Sequence, residues 1–250
     1  MTMGNVFRDI QARIKEPMPN WSWCNDCHLP VRDIIGVVEM VEDRIGERIG
    51  EVRWCSCNSK AAALVSGLYS LSNLPHRDGE KPKFLENFIS RDGAEVALEA
   101  SHAFIDGGPP LLTLMGATGT GKSHLAEAIC REYISRGQSA RFEYVSSFLD
   151  SLRGADGTTV QEILQRCLTP KLLVLDDLGI ERGTEWTAEK LTSVVEQRIT
   201  RNAKTLITTN LTGDMLREKG YDRLASRMFA LATQDATVAV LTCTDARGSL

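Results

Sequence analysis

The run GATGTGKS, Gly116 to Ser123, constrains this chain more than any other stretch of its length. Two glycines five positions apart, followed by lysine and serine, let the backbone curl until successive N–H groups face one anion. Such a loop works only between a buried strand and the first turn of a helix, whose positive end then points at the same anion. Both flanks meet that demand. LLTLMG before the loop is almost wholly apolar, and Lys122 to Arg136 repeats alanine and leucine at helical spacing. Gly116, Ala117, Thr118, Gly119, Thr120 and Gly121 are therefore read as the phosphate cradle. Lys122 reaches the β- and γ-phosphates of a nucleotide, the Ser123 hydroxyl holds Mg2+, and His124 follows as the loop enters its helix.

The same alternation continues downstream. ARFEYVS, KLLVLDDLG, KTLITTN and VAVLTC read as strands, separated by helical SFLDSLRG, TVQEILQRCL, EWTAEKLTSVVEQRITRN, GDMLREKG and DRLASRMFAL. Strands this apolar, alternating with helices, predict an α/β fold with a parallel sheet flanked by helices. Composition sets limits on function. With 42% hydrophobic and 25% charged residues the chain is ordinary for a globular protein, and it has no apolar run of about 18 residues to span a membrane. The formal net charge of −4 resides in residues 1–110, while Leu111 to Leu250 is balanced. Any nucleic-acid contact must then come from a local patch. Seven cysteines, an odd number, and the lack of an export signal point to a reducing cytoplasm.

In parallel sheets, ligands bind outside the carboxyl ends of the strands. LLVLDDLG ends its strand with two acids. Asp176 is placed to hold the Mg2+ shell, and Asp177 to orient or deprotonate the attacking water; Glu181 is a second candidate for that task. LITTN ends a neighbouring strand with Asn210, expected beside Asp176 with its amide on water near the γ-phosphate. Near the end of the chain, YDRLASRM places Arg223 and Arg227 four apart on one helical face, with no acidic partner nearby in sequence except Asp222.

In this order and spacing, GATGTGKSHLAEAI, LLVLDDLG, TLITTNL and DRLASRM resemble the AAA+ ATPases of the DnaC/DnaI helicase-loader and IstB-like group. The resemblance covers roughly Phe84 to Val240. It implies a P-loop AAA+ domain over residues 84–250 without the separate helical lid of many AAA+ proteins. It also implies ATP hydrolysis, head-to-tail self-association, single-stranded DNA binding and delivery of a replicative DNA helicase. The matched segment carries the arginine finger, with Arg227 the best match and Arg223 a second contributor. A guanidinium lent to a neighbour's γ-phosphate neutralises developing charge, and heterologous contacts of that kind build rings or helical arcs. The competing reading is two arginines in solvated or intrasubunit salt bridges. Family placement of single-strand contacts points to SSFLDSLRG, where Phe148 reads as core and Arg153 as a phosphate contact or an ordinary surface residue.

The first third is organised differently. Residues 1–20 read as an amphipathic helix, 21–60 as a cysteine module, and 61–83 as a linker rich in breakers toward its end. FLENFISRDGAEVALEASHAFIDGG then reads as a leading helix on the ATPase domain. WCNDCH and WCSC give C-x2-C, 27 residues, then C-x-C. Cys24, Cys27, Cys55 and Cys57 fit a tetrahedral Zn2+ site in a small zinc-ribbon-like module, with His28 as a substitute ligand. Free thiols and a redox pair are the alternatives. Trp21, Trp23 and Trp54 flank the cysteines as core or docking surface. Cys130, Cys167 and Cys243 fall in apolar runs and read as core.

Three functions compete with helicase loading. An IstB-like accessory ATPase of transposition would use the same core with another client. A P-loop nucleotide kinase would need an arginine-rich lid closing on a second substrate. A nucleotide-gated binding protein with negligible turnover would use ATP only as a latch.

Overall fold

The computed structural model describes residues 21–23, 30–32, 59–75, 82–180, 184–230 and 235–245. Two compact units divide the chain: Met1–Gly67 with Ser135–Gly137, and Leu68–Ile134 with Gln138–Leu250. In the first unit, β1 (Trp21–Trp23) pairs antiparallel with β2 (Pro30–Arg32), Ser22 opposite Val31. The four candidate zinc cysteines, His28, the expected 1–20 helix and Trp54 lie outside the described residues.

The second unit is built on five parallel strands in the order β4-β5-β6-β3-β7. These are β3 (Leu111–Gly116), β4 (Ala140–Tyr144), β5 (Leu172–Leu178), β6 (Lys204–Thr209) and β7 (Ala236–Leu241). The strands expected from the sequence appear within a few residues of their predicted bounds. The three central strands are buried almost end to end, as their continuous apolar runs require when helices cover both faces. Strand β3 sits between β6 and β7, so the loop that leaves its carboxyl end opens between the tips of its neighbours.

Eight helices are described: α1 (Ser59–Leu71), α2 (Glu95–Ile105), α3 (Lys122–Ser135), α4 (Val145–Arg153), α5 (Gly157–Leu168), α6 (Glu185–Thr200), α7 (Gly213–Glu218) and α8 (Asp222–Met228). Three of them start where a short polar side chain accepts an otherwise orphaned amide. Asp156 takes the Thr159 N–H before α5, Thr212 takes that of Met215 in α7, and Thr184 with Thr187 forms a capping box before α6. One buried cluster joins Phe148 and Leu152 of α4, Leu191 and Val195 of α6, and Leu224 and Met228 of α8 to Leu173, Leu175 and Ile207 of the sheet. Each such side chain contributes about 1.5–3 kcal/mol when fully buried.

Two expectations change in detail. The segment read as a linker, 61–83, is helical through Leu71, and the next residues bond to the edge of the sheet. Ser72 O accepts the Phe142 N–H at 2.7 Å, and the Asn73 amide donates to Phe142 O at 2.9 Å. This covers the open edge of β4, a position that would otherwise expose unpaired backbone groups. The leading helix is also shorter than its periodicity predicts. It begins at Glu95, and Phe84 to Asp92 is instead a non-helical segment closed by the Asn87 side chain, which accepts from Phe84 N at 2.8 Å. Local side-chain bonding of this kind competes with helix formation.

The Arg198 side chain, fully buried on α6, ties three element ends together. Its guanidinium donates to the carbonyls of Cys167, Pro170, Lys171 and Lys204 and to Thr205 Oγ1, at 2.7–3.3 Å. Burial pulls its pKa down to about 10, still charged at neutral pH.

Candidate functional site

The phosphate loop occupies the gap between β3 and α3. Gly119 and Gly121 hold φ of +79° and +100°, left-handed values that glycine adopts without a Cβ penalty. A Cβ on Gly121 would also come within 2.8 Å of the Phe88 ring. Lys122 is buried, and its ammonium donates to Gly116 O at 2.9 Å and Ala117 O at 2.7 Å. The lysine therefore already lies folded over the loop that the motif assigns to it. Thr120 Oγ1 closes the turn onto Ala117 O at 2.9 Å. His124 meets Phe84 O at 3.2 Å and Asn87 Oδ1 at 3.1 Å, with its ring edge-on to Phe88, and burial lowers its pKa.

Asp176 brings the second half of the site. Ser123 Oγ donates to Asp176 Oδ1 at 3.1 Å, and Thr208 Oγ1 donates to the same oxygen at 2.6 Å. The carboxyl group is fully buried, and Oδ2 has no hydrogen-bond partner. Burial raises the Asp176 pKa; the hydroxyl bonds from Thr208 and Ser123 oppose that and the adjacent Asp177 charge adds to it. A buried carboxylate oxygen without a donor, next to a serine hydroxyl at the mouth of a phosphate loop, fits a divalent cation held directly or through water. Ser123 and Asp176 are thus the residues able to hold Mg2+.

The two acids differ because β5 bulges where they lie. The β5–β6 register shifts between Leu175 and Leu178, and Asp177 takes φ of +61°. This bulge turns Asp177 out of the buried row, and its amide donates to Thr208 Oγ1 at 2.9 Å. Asn210 was expected beside Asp176. Instead, its amide reaches the phosphate loop, donating to Thr118 Oγ1 at 3.4 Å, and Thr208 takes the position against Asp176. Side chains alternate along β6, so residue 208 faces the acid when its neighbour 209 donates to Leu178 O. Glu181 lies outside the described residues.

Arg223 and Arg227 share an acid that sequence proximity hides. Glu196, on α6, meets Arg227 Nε at 3.1 Å and Arg223 Nη2 at 3.6 Å. Both arginine side chains stay exposed, at 55% and 80%. Exposed pairs of this sort contribute roughly 0–1 kcal/mol, so either guanidinium can leave Glu196 at small cost. Phe148 is core, and Arg153 pairs with Asp150 at 2.8 Å while lying over the Trp186 ring at 5.8 Å. Cys130, Cys167 and Cys243 are buried free thiols, and burial pushes the first two up to about 12. Among the described residues no cluster of His, Cys, Asp and Glu could hold a metal on its own, and no helix is long and apolar enough to cross a membrane.

Three residues of this neighbourhood escaped the sequence reading. Thr208 was legible only as a polar residue ending a buried strand. Glu196 looked like any solvated position of an amphipathic helix. Asp245 follows the last strand, and its carboxylate packs on Gly119; no local pattern marks it.

Comparison with known proteins agrees with this geometry. The family model described as IstB-like ATP binding protein matches residues 69–228. The replicative helicase loader DnaC of Escherichia coli K12 is 26% identical over 150 residues, 57% of this chain and 61% of that protein. A putative ATP-binding protein in an insertion sequence of Mycobacterium tuberculosis is 30% identical over 120 residues, 47% of each chain. AMPPCP-bound DnaA from Aquifex aeolicus shares the fold with a TM-score of 0.57 at 22% identity, over 67% of this chain and 52% of that one. The chain thus spans about three fifths of the curated loader that it matches.

Proposed function

Because this chain belongs to the IstB-like ATP-binding family, with the P-loop sheet of the AAA+ ATPases, we propose that it binds and hydrolyses ATP with Mg2+ to load a replicative helicase onto single-stranded DNA. The observation that carries the nucleotide part is the meeting of Ser123 and Thr208 on Asp176 Oδ1, with Asp176 Oδ2 left without a donor, beside the phosphate loop. Mg2+, when bound, neutralises charge on the β- and γ-phosphates. The chain's own residues do the rest. Amides of the 116–123 loop and Lys122 hold the phosphates, and Ser123 and Asp176 hold the cation's shell. Asp177, on the bulge, orients the attacking water, and Asn210 positions it from the adjoining strand.

Arg227, with Arg223 beside it, is the group lent to a neighbour's γ-phosphate. Exposure and a weak intrasubunit partner support this reading: the arginines are available, and a head-to-tail copy can recruit them. The client is proposed as a replicative helicase because the aligned relative is named for loading one. A transposition accessory role is the second reading, favoured by the insertion-sequence relative. For single-stranded DNA, Arg153 stacked on Trp186 offers a cation beside an aromatic face. The N-terminal cysteines Cys24, Cys27, Cys55 and Cys57 are proposed to bind one Zn2+, which elemental analysis of the purified chain would measure.

The test is ATP turnover with and without single-stranded DNA for wild type, Lys122→Ala and Arg227→Ala, alone and mixed. Each variant alone should be inactive, and the mixture should recover turnover, because Arg227 of one subunit serves an intact Lys122 site on the next. Normal turnover by Arg227→Ala would overturn the finger, and normal turnover by Lys122→Ala would overturn the ATP site.

A further inference from the structure

The segment leaving β7 is fastened across the phosphate loop by contacts that the ATPase reading does not use. Thr242 N donates to Gly93 O at 3.0 Å, and Arg91 Nη1 donates to Thr244 O at 2.8 Å. The buried Cys243 thiol donates to Thr120 O at 3.2 Å, inside the loop itself. These anchors deliver the Asp245 carboxylate onto Gly119. A Cβ at Gly119 would collide with Asp245 Oδ1 and lie 2.7 Å from Oδ2, so both oxygens rest against a residue that has no side chain to exclude them.

That placement sets a negative charge against the loop whose purpose is to receive negative charge. Amides and Lys122 concentrate positive potential there for phosphates. A carboxylate in contact with Gly119 draws on the same potential and repels a polyphosphate as it arrives. We propose that Asp245 sets the nucleotide affinity of this site: as an anionic strap it competes with the phosphates and keeps binding weaker than the loop alone would allow. The inference rests on the ATP-binding reading above. Asp245 is exposed, so its repulsion is screened by salt and moderate in size. The anchors act through the Thr242 amide, the Cys243 thiol and the Thr244 carbonyl, none of which a substitution at Asp245 removes.

The experiment is titration of wild type and Asp245→Asn with Mg-ATP and with adenosine, at low and high salt. Asp245→Asn should bind Mg-ATP about twofold to fivefold more tightly at low salt, the size expected of an exposed like-charge contact. The gain should shrink at high salt, and adenosine, which has no phosphates, should bind both proteins equally. Asp245→Lys should extend the trend for Mg-ATP. Weaker binding of Mg-ATP or adenosine by Asp245→Asn would overturn the strap and make Asp245 an acceptor for the nucleoside. Equal Mg-ATP binding by wild type and Asp245→Asn would overturn the strap alone. Absence of nucleotide binding by both would remove it together with the ATP-binding reading.

Discussion

Thr208 donates its hydroxyl hydrogen to Asp176 Oδ1 at 2.6 Å, and with its own oxygen accepts the Asp177 amide at 2.9 Å. One side chain on β6 thereby orients the buried acid of β5 and pins the backbone of the next residue in its left-handed turn. Such a partner behind a metal-holding carboxylate sets both its direction and its basicity.

Thr208→Val keeps the shape and deletes both bonds. The Asp177 amide loses its acceptor and Asp176 loses its closest donor, which costs about 1–3 kcal/mol of stability. Mg2+ dependence should shift further, by about 10- to 100-fold in the concentration needed for nucleotide binding. Denaturant unfolding and a Mg2+ titration at fixed ATP measure the two effects separately. An unchanged Mg2+ requirement would mean that Thr208 serves the fold alone.

The raised pKa of Asp176 makes cation binding sensitive to mild acid. The carboxyl must lose its proton to hold Mg2+, and burial makes it keep that proton to a higher pH than an ordinary aspartate. As pH falls, Mg2+-dependent binding should weaken above the usual carboxylate range. For folding the sign is opposite to that of a salt-bridged acid: the raised pKa disfavours the native state once the group ionises, so the penalty is absent at low pH and complete above the folded pKa. Thus Asp176→Asn should be no less stable than wild type at neutral pH and still fail to bind Mg-ATP tightly. Parallel unfolding and binding titrations across pH check both.

Arg198 is a stability position, not a site residue. Arg198→Met leaves four carbonyls and the Thr205 hydroxyl without their shared donor and should cost about 3 kcal/mol or more, because unsatisfied buried acceptors carry their full desolvation penalty. Arg198→Lys should recover only part, since an ammonium cannot spread five bonds as a guanidinium does. Equilibrium denaturation reads this directly.

Glu196 separates the fold from the finger. Glu196→Gln and Arg227→Ala each remove the same exposed pair, and each should shift unfolding by less than about 1 kcal/mol. Only Arg227→Ala should lower turnover, by roughly a thousandfold or more at concentrations where subunits assemble. Comparable losses of turnover in both variants would point to the pair itself, and thus to a role within one subunit.

The local and periodic features were legible from residue order. GATGTGKS specifies its own loop because the φ values and close approach it needs belong to glycine, and the strands around it are recognisable because a parallel sheet buries both faces. Asp176 follows from ending such a strand. Tertiary structure decided the rest. Periodicity overran Phe84 to Asp92, where the Asn87 side chain outcompetes the helix, and breaker residues hid the role of Ser72 and Asn73 in closing the edge of β4. Thr208 meets Asp176 only through the β5–β6 register, and Glu196 meets Arg227 only because α6 packs on α8. Asp245 reaches Gly119 only because β7 lies next to β3. A sequence determines what each residue can offer at short range. Which groups then come within hydrogen-bonding or Coulombic reach depends on strand order and helix packing, because those forces act over a few ångströms and the chain brings distant residues that close only by folding.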